Sequence, residues 1–312
     1  MAPKTITRTR DFRHEARFYA GADEFVPGAL AFVRDGIAAG EAVMVATSAE
    51  KLAALEHGLG ADAAPVTFAD MHVIGRNPAR IIEAWHEFVL QATAAGQKPR
   101  GIGEPAYAER SPAELRECAH HESLLNDALG DTECWLLCPY DTSVLDGDVL
   151  DGACANHPVI VRGEQRSVST TYRAPTLKMF AEPLPDAPDD AYRFVFDLHR
   201  LHDVREIVVR EARRAGFSEK RAYELAVAAG EISTNSIQHG GGRGTLVVWR
   251  EDRRLWVEMH DAGQIDDLLV GRLRPRRTTA GGYGVWLANC LCDLVQIMSD
   301  ASGTTVRLHA CE

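Results

Sequence analysis

From His14 to Tyr140 the sequence alternates short apolar runs with longer stretches of helical period, and this alternation constrains the fold more than any single motif. HEARFY, EAVMVAT, Val66 to Met71, PRGIGE and CWLLCPY read as strands. FVPGALAFVRDGIAAG ending at Gly40, Ala49 to Gly58, Pro78 to Ala95 before Gly96, and Pro112 to Leu129 with Ser111 as cap read as helices. Successive strands returned by helices build a mainly parallel sheet with helices on both faces, so the first half is expected to be an α/β domain. Ligands in such sheets lie at the carboxyl ends of the strands. The loop expected after the first strand, Ala20 to Phe25, lacks the lysine and the glycine spacing of a phosphate-binding loop, so this half is not expected to hydrolyse nucleotide.

The 312 residues suffice for two domains. A net charge of -11 argues against nucleic acid or an anionic membrane as the main partner, because phosphate binding needs a basic surface. No run approaches the roughly eighteen apolar residues of a membrane span, and the charged start MAPKTITRTRDFRHEARFY lacks the apolar core of a signal peptide. A cytoplasmic location is expected. The seven cysteines mostly occupy apolar contexts and read as buried thiols in a reducing compartment. Cys134 and Cys138 share a strand face, but no second pair at finger-like spacing accompanies them, so no zinc site is expected there. His121 and Glu122 diverge by about 100° on a helix and cannot face one ion together. With His14, Glu15 and His120 they read as polar residues that cap, pair or line a sheet edge. For a small-molecule ligand of this half, the first residues to test are Tyr19, Glu104, Glu122 and Tyr140.

Residues 173–190, RAPTLKMFAEPLPDAPDD, hold four of the fourteen prolines and read as an extended connector. It separates a domain over 13–172 from one over 191–312. YRFVFDLHRLHDVREIVVREARRA, 192–215, reads as one helix with Leu198, Leu201, Val204, Val208 and Ala212 at helical period. His199 and His202 on it raise a histidine kinase alternative. About 30 residues between connector and next helix are too few for the dimerisation hairpin of such kinases at 1.5 Å per residue.

FSEKRAYELAVAAGEISTNSIQHGGG, 217–242, reads as a helix capped by Ser218 and closed by glycines. Ala222, Leu225, Ala226, Ala229, Ile232 and Ile237 share one stripe; Glu231, Asn235 and Gln238 fall opposite. A carboxylate and an amide one turn apart suit a proton acceptor and a Mg²⁺ ligand, although such a pair alone also fits a solvated face. Two strands, Thr245 to Arg250 and Leu255 to His260, follow, then Asp261-Ala262-Gly263, an arginine-bearing loop, and Gly281-Gly282-Tyr283-Gly284 opening a helix, Val285 to Cys292. Strands at Leu294 to Ser299 and Thr305 to Ala310 flank a turn at Ser302-Gly303-Thr304.

EISTN, DAG, GGYGVWLAN and SGTTV, in this order, resemble the GHKL (Bergerat-fold) ATPase domain in the short version of bacterial anti-sigma factors of the serine-protein-kinase type, over residues 192–310. HEARFYAGADEF, GEAVMVATS, HESLLNDAL and LLCPYD make residues 13–160 resemble the MEDS sensory domain, a degenerate relative of RecA-like ATPases. The first resemblance implies an α+β domain that binds ATP and Mg²⁺ between helices on one face of a mixed sheet. It gives Glu231 the general-base role, Asn235 the metal, and Asp261 the adenine amino group. It gives Gly263 close approach to the ring, Gly282 and Gly284 the phosphates, and Thr304 or Thr305 the closure of the adenine pocket. In the basic loop, Arg276 or Arg277 is expected at the γ-phosphate, against the plain alternative of a solvated run. One departure stands out: the second glycine of the family's D-x-G-x-G is replaced, giving Asp261-Ala262-Gly263-Gln264-Ile265.

The resemblance further implies a cytoplasmic regulator that sequesters a sigma factor and phosphorylates a serine or threonine of a STAS-type anti-anti-sigma factor, with room for a homodimer through the first helix. The alternative of another class is a nucleotide-responsive binding protein that holds its partner without phosphotransfer; a histidine kinase fragment is the third reading.

Overall fold

The computed structural model describes residues 11–251, 254–275 and 282–312. The chain forms two compact units, one ending at Pro175 and the other beginning at Thr176. Among the described residues no helix is long and apolar enough to cross a membrane.

In the first unit β1 (Arg13–Tyr19), α1 (Gly21–Ala38), β2 (Ala42–Thr47), α2 (Ala49–Leu59), β3 (Val66–Asp70), the one-turn α3 (Met71–Ile74), α4 (Ile81–Ala94), β4 (Pro99–Gly103), α5 (Pro112–Ala128), β5 (Trp135–Asp141), α6 (Gly147–Asn156), β6 (Val159–Arg162) and β7 (Gln165–Val168) follow in order. The sheet order is β3-β2-β4-β5-β1-β6-β7, with β7 alone antiparallel to its neighbour. The α/β expectation holds, and β2, AVMVAT, shows why: five of its six residues are buried, as in a strand covered on both faces. In β4, Ile102 joins the core formed with α1 and α2, while a Cβ on the alternate residue Gly103 would lie 2.9 Å from the Trp85 ring of α4. Alternation thus puts α1 and α2 on one face and α4 on the other.

Two parts of the first unit differ from the sequence reading. The helix α1 begins at Gly21, inside the stretch expected to be a loop, because side chains satisfy backbone donors there: Ala20 N donates to Glu24 Oε2 (2.8 Å) and Gly21 N to Asp141 Oδ1 (3.2 Å). Beyond Tyr140 the chain adds α6, β6 and β7, the two strands only four residues each and β7 exposed throughout, so their apolar pattern is short. The α5 start agrees in detail, with Ser111 and Glu114 forming a complete capping box.

The second unit contains β8 (Tyr192–Asp197), α7 (Leu201–Arg214), α8 (Glu219–His239), β9 (Arg243–Glu251), β10 (Arg254–Asp261), α9 (Tyr283–Leu291), β11 (Leu294–Asp300) and β12 (Gly303–Cys311). Its sheet, ordered β11-β12-β10-β9-β8, is antiparallel at every pairing rather than mixed, because successive strands pair through hairpins and the remaining neighbours also run oppositely. The core joins Val204, Ile207 and Val208 of α7, the expected stripe of α8, and Val285 and Ala288 of α9 to Leu246, Val257, Met259, Val306 and Leu308 of the strands.

The helix expected over 192–215 is a strand followed by a helix. YRFVFD pairs with β9, Tyr192 opposite Val248, and the alternate Phe194 and Phe196 pack inward, while Leu198 is 63% exposed in the turn between the two elements. β-formers at period two, with a neighbouring strand to pair, overrode a helical period that only the later residues need. Part of the expected connector also belongs to the second unit. Phe180, in a short 3-10 turn at Leu177–Ala181, is buried in its core, and Arg307 Nη2 donates to Pro185 O (2.7 Å).

Candidate functional site

In the second unit α8 is fixed at its start and open near its end. Ser218 Oγ accepts from Arg221 N (3.4 Å), and the Arg221 guanidinium donates to Leu291 O (2.6 Å), Asp293 Oδ2 (2.8 Å) and Cys311 O (3.1 Å). One side chain therefore ties the first turn of α8 to the last turn of α9 and to β12. Four residues apart on α8, Glu231 and Asn235 share a partly exposed face, and neither side chain takes a hydrogen-bond partner among the described residues. The start of α9 comes up to this face. A Cβ on Gly284 would lie 2.8 Å from Asn235 Nδ2 and 3.3 Å from its Oδ1. Gly282, the residue before α9, has φ 85°, where a side chain is strained.

The end of α8 meets the end of β10. A Cβ on Gly240 would collide with the Asp261 carboxylate. Asp261 Oδ1 accepts from Gly263 N (2.8 Å) and Oδ2 takes no partner among the described residues. A Cβ on Gly263 would sit 2.8 Å from His239 O and 3.2 Å from Gly240 Cα, so the backbone that this glycine admits is the end of α8. Thr304, opposite Asp261 in the β10–β12 register, donates from Oγ1 to Gly263 O (2.9 Å) and contacts Ser299 Oγ (2.9 Å). Thr305 alternates to the other face, against His260 Nδ1 (3.0 Å), and does not join this group.

Of the expected residues, the structure thus gathers Glu231 with Asn235 and Gly284, and Asp261 with Gly263 and Thr304, along one helix. Arg276 and Arg277 lie outside the described residues. Three contributors escaped the sequence reading. Gly303, with φ 133°, lets β12 begin against Asp261 O; Ser299 braces Thr304; Arg221 anchors α8. Gly303 alone had a local signal, the S-G-T turn.

In the first unit a polar cluster occupies the carboxyl ends of β1, β2 and β4. Glu104 accepts from Tyr19 Oη, from Thr47 Oγ1 and from Lys51 Nζ (2.6 Å); Lys51 also donates to Tyr19 Oη (2.6 Å). Burial, and then the Glu104 charge, push the Tyr19 phenol above its ordinary range. Glu122 and Tyr140 lie elsewhere, near His14, which burial and then the neighbouring His157 push down to about 4. The four residues singled out for a ligand therefore divide between two places.

Residues 194–310 match the family described as the histidine kinase-like ATPase domain. Residues 13–158 match MEDS, the methanogen/methylotroph DcmR sensory domain. The chain joins a MEDS domain to a histidine kinase-like ATPase domain. No curated protein matches it. Among solved structures it is similar to the RsbU and RsbW domains of Rv1364c from Mycobacterium tuberculosis, at 19% identity and a TM-score of 0.31. That match covers 40% of this chain and 33% of the other, so the chain spans about a third of that structure.

Within the ATPase domain, the lost second glycine of D-x-G-x-G falls at Ile265. Its side chain packs against the domain core and its N–H donates to Ser299 Oγ (2.9 Å), which fixes the loop after Asp261 to the edge of the sheet. The Asn235 amide, unpartnered among the described residues and next to a glycine whose Cβ would crowd it, fits a ligand of Mg²⁺ or phosphate.

Proposed function

We propose that the ATPase domain binds ATP with Mg²⁺ along α8 and transfers the γ-phosphoryl group to a serine or threonine hydroxyl of a STAS-type partner, as an anti-sigma factor under control of the MEDS domain. The observation that carries this reading is the pairing of Glu231 and Asn235, unpartnered among the described residues, with the glycine-opened start of α9. Asp261, with Oδ2 unpartnered among the described residues, accepts the adenine amino group, and Thr304 holds the loop that carries Gly263. Gly282 and Gly284 leave backbone N–H groups at the α9 N-terminus for phosphate oxygens. Asn235 holds Mg²⁺, which when bound neutralises phosphate charge. Glu231 takes the proton of the attacking hydroxyl as its oxygen bonds to the γ-phosphorus and ADP leaves. Arg276 and Arg277 remain part of the proposal as γ-phosphate ligands. A sensed small molecule belongs to the carboxyl-edge cluster of Tyr19 and Glu104, and the protein works in the cytoplasm.

A second reading, nucleotide-dependent partner binding without transfer, is favoured by Ile265, which replaces the flexible glycine with a packed side chain. Incubation of the full chain with labelled ATP, Mg²⁺ and a STAS partner decides between them. Transfer by wild type that Glu231→Ala loses while retaining ATP binding supports the kinase; ATP binding with no transfer by wild type supports the second reading.

A further inference from the structure

Four buried side chains of the MEDS domain converge on one point from four elements. His14 comes from β1, Cys138 from β5, Glu122 from α5, and His157 from the residue that ends α6. Parallel pairing sets Ala16 opposite Cys138, so His14, two residues before Ala16, shares a sheet face with Cys138. Pro158 holds the preceding His157 in extended backbone (φ -114°, ψ 130°), which stops the helix and turns the ring to the cluster.

The distances come close to those of a coordination shell, the two to the imidazoles being slightly shorter. A tetrahedral ion with bonds of about 2.0–2.3 Å has ligand–ligand edges of roughly 3.3–3.8 Å. Here Glu122 Oε2 lies 3.0 Å from His14 Nε2, 3.2 Å from His157 Nε2 and 3.3 Å from Cys138 Sγ, and Cys138 Sγ lies 3.4 Å from His14 Nε2. All four ligand atoms fall within 4.8 Å of one another.

The surrounding hydrogen bonds fix which ring nitrogens carry protons. His157 Nδ1 donates to Ala153 O (2.8 Å), an acceptor only. Asn126 spends its NH₂ on the carbonyl oxygens of Glu122, Ser123 and Asn156, so the atom 3.2 Å from His14 Nδ1 is its Oδ1, again an acceptor only. With Nδ1 of each ring committed to an acceptor, Nε2 of both rings is the atom turned toward the Glu122 carboxylate. Two imidazole nitrogens and a thiol gathered around one carboxylate oxygen in a dry interior make a donor set suited to a cation. Among the described residues, His157 Nε2 and Glu122 Oε1 find no hydrogen-bond partner although both are buried. Nδ1–H groups bound to carbonyl oxygens, with Nε2 free, are the outer shell of metal-ligating histidine.

We propose that His14, Glu122, Cys138 and His157 bind one divalent transition-metal ion, with Zn²⁺ the best match to two imidazoles, a thiolate and a carboxylate. Binding forms the metal–sulfur bond and releases the Cys138 thiol proton to solvent. The thiolate and carboxylate then neutralise the dication, and four protein ligands make a closed site of the structural kind. A surface cleft of about 360 Å³, lined by Phe12, His14 and Pro158 among others, lies beside the strand that carries His14.

The full-length chain, stripped with a chelator under reducing conditions and titrated with Co²⁺, tests this. One equivalent should bind with thiolate-to-cobalt charge-transfer absorption and the visible bands of tetrahedral cobalt, release about one proton, and be displaced by Zn²⁺. His157→Gln should weaken cobalt binding by about tenfold or more, Cys138→Ser should abolish the charge transfer, and Cys154→Ser should leave both unchanged. Wild type without the charge-transfer band, or a band that survives Cys138→Ser, overturns the proposal. Should Cys138→Ser fail to fold, the wild-type band and its weakening in His157→Gln decide. A band of wild-type strength and affinity in folded His157→Gln also overturns it.

Discussion

Gly284→Ala separates the packing of α9 from the role proposed for Asn235. Gly284 is buried as the second residue of α9, and the new Cβ would lie 2.8 Å from Asn235 Nδ2 and 3.3 Å from Oδ1. Those atoms end a flexible side chain, so the amide turns aside and the backbone stays. Helix propensity favours alanine over glycine by up to about 1 kcal/mol, so the folded state should lose nothing. Removing the amide from a charged phosphate–metal group forfeits about 1.5–3 kcal/mol, which at 1.4 kcal/mol per decade weakens ATP binding roughly ten- to a hundredfold. Calorimetric titration with ATP and Mg²⁺, run beside thermal unfolding, reads both quantities. An unchanged Tm with ATP affinity within about twofold of wild type would refute the placement of Asn235 at the phosphates. A fall in Tm would refute the claim that the backbone stays.

Three further predictions concern the scaffold. Phe180→Ala should destabilise the ATPase domain by about 3–5 kcal/mol in urea unfolding, because this residue within the proline-rich segment is fully enclosed in the domain core. Arg221→Met should lower stability by about 1.5–3 kcal/mol through lost charge-assisted bonds to Leu291 O, Cys311 O and Asp293, with thermal unfolding as the check. Burial acts against ionisation of Asp141, but hydrogen bonds from Ser143 and Gly21 and the charge of Lys51 outweigh it and hold the carboxyl below 3.8. That stabilisation is present above pH 3.8 and is lost as pH falls through the lower native value. Asp141→Asn should therefore be less stable than wild type near neutrality and converge with it in acid; a gap in urea midpoint that does not change with pH would count against the assignment.

The sequence carried the strand–helix alternation of the first unit as far as Tyr140 because each element there is long enough to show its period. The strand Tyr192–Asp197 is hard to read because its partner is distant in sequence: Tyr192 pairs with Val248, and a period-two pattern of only six residues runs directly into the helical period that follows. Short β6 and β7 had too few residues to declare a period. The His14–Glu122–Cys138–His157 cluster was out of reach for a related reason. Cys134 and Cys138 are a pair, and His121 and Glu122 are neighbours, only in spacing along the chain, whereas His14, Glu122, Cys138 and His157 meet across the sheet.

That contrast follows from how each region is built. Along α8 the approach of neighbouring elements depends on absent side chains: Gly240 admits Asp261, Gly263 admits the end of α8, Gly284 admits Asn235 and Gly303 admits Asp261 O. A missing Cβ is a property of one residue, and a close approach of backbone needs it at a fixed place in a turn or at a helix end, so glycines surface as short motifs that a sequence displays. In the MEDS domain the polar clusters depend on side chains that parallel pairing and helix packing bring together, such as Tyr19 with Glu104 and His14 with Glu122. Their spacing is set by topology rather than by any local turn, so substitutions there should couple across elements. Double-mutant cycles should accordingly show coupling of about 0.5–3 kcal/mol between Thr47 and Glu104, and additivity within about 0.5 kcal/mol between Thr47 and Glu122; equal coupling in both pairs would refute two separate clusters.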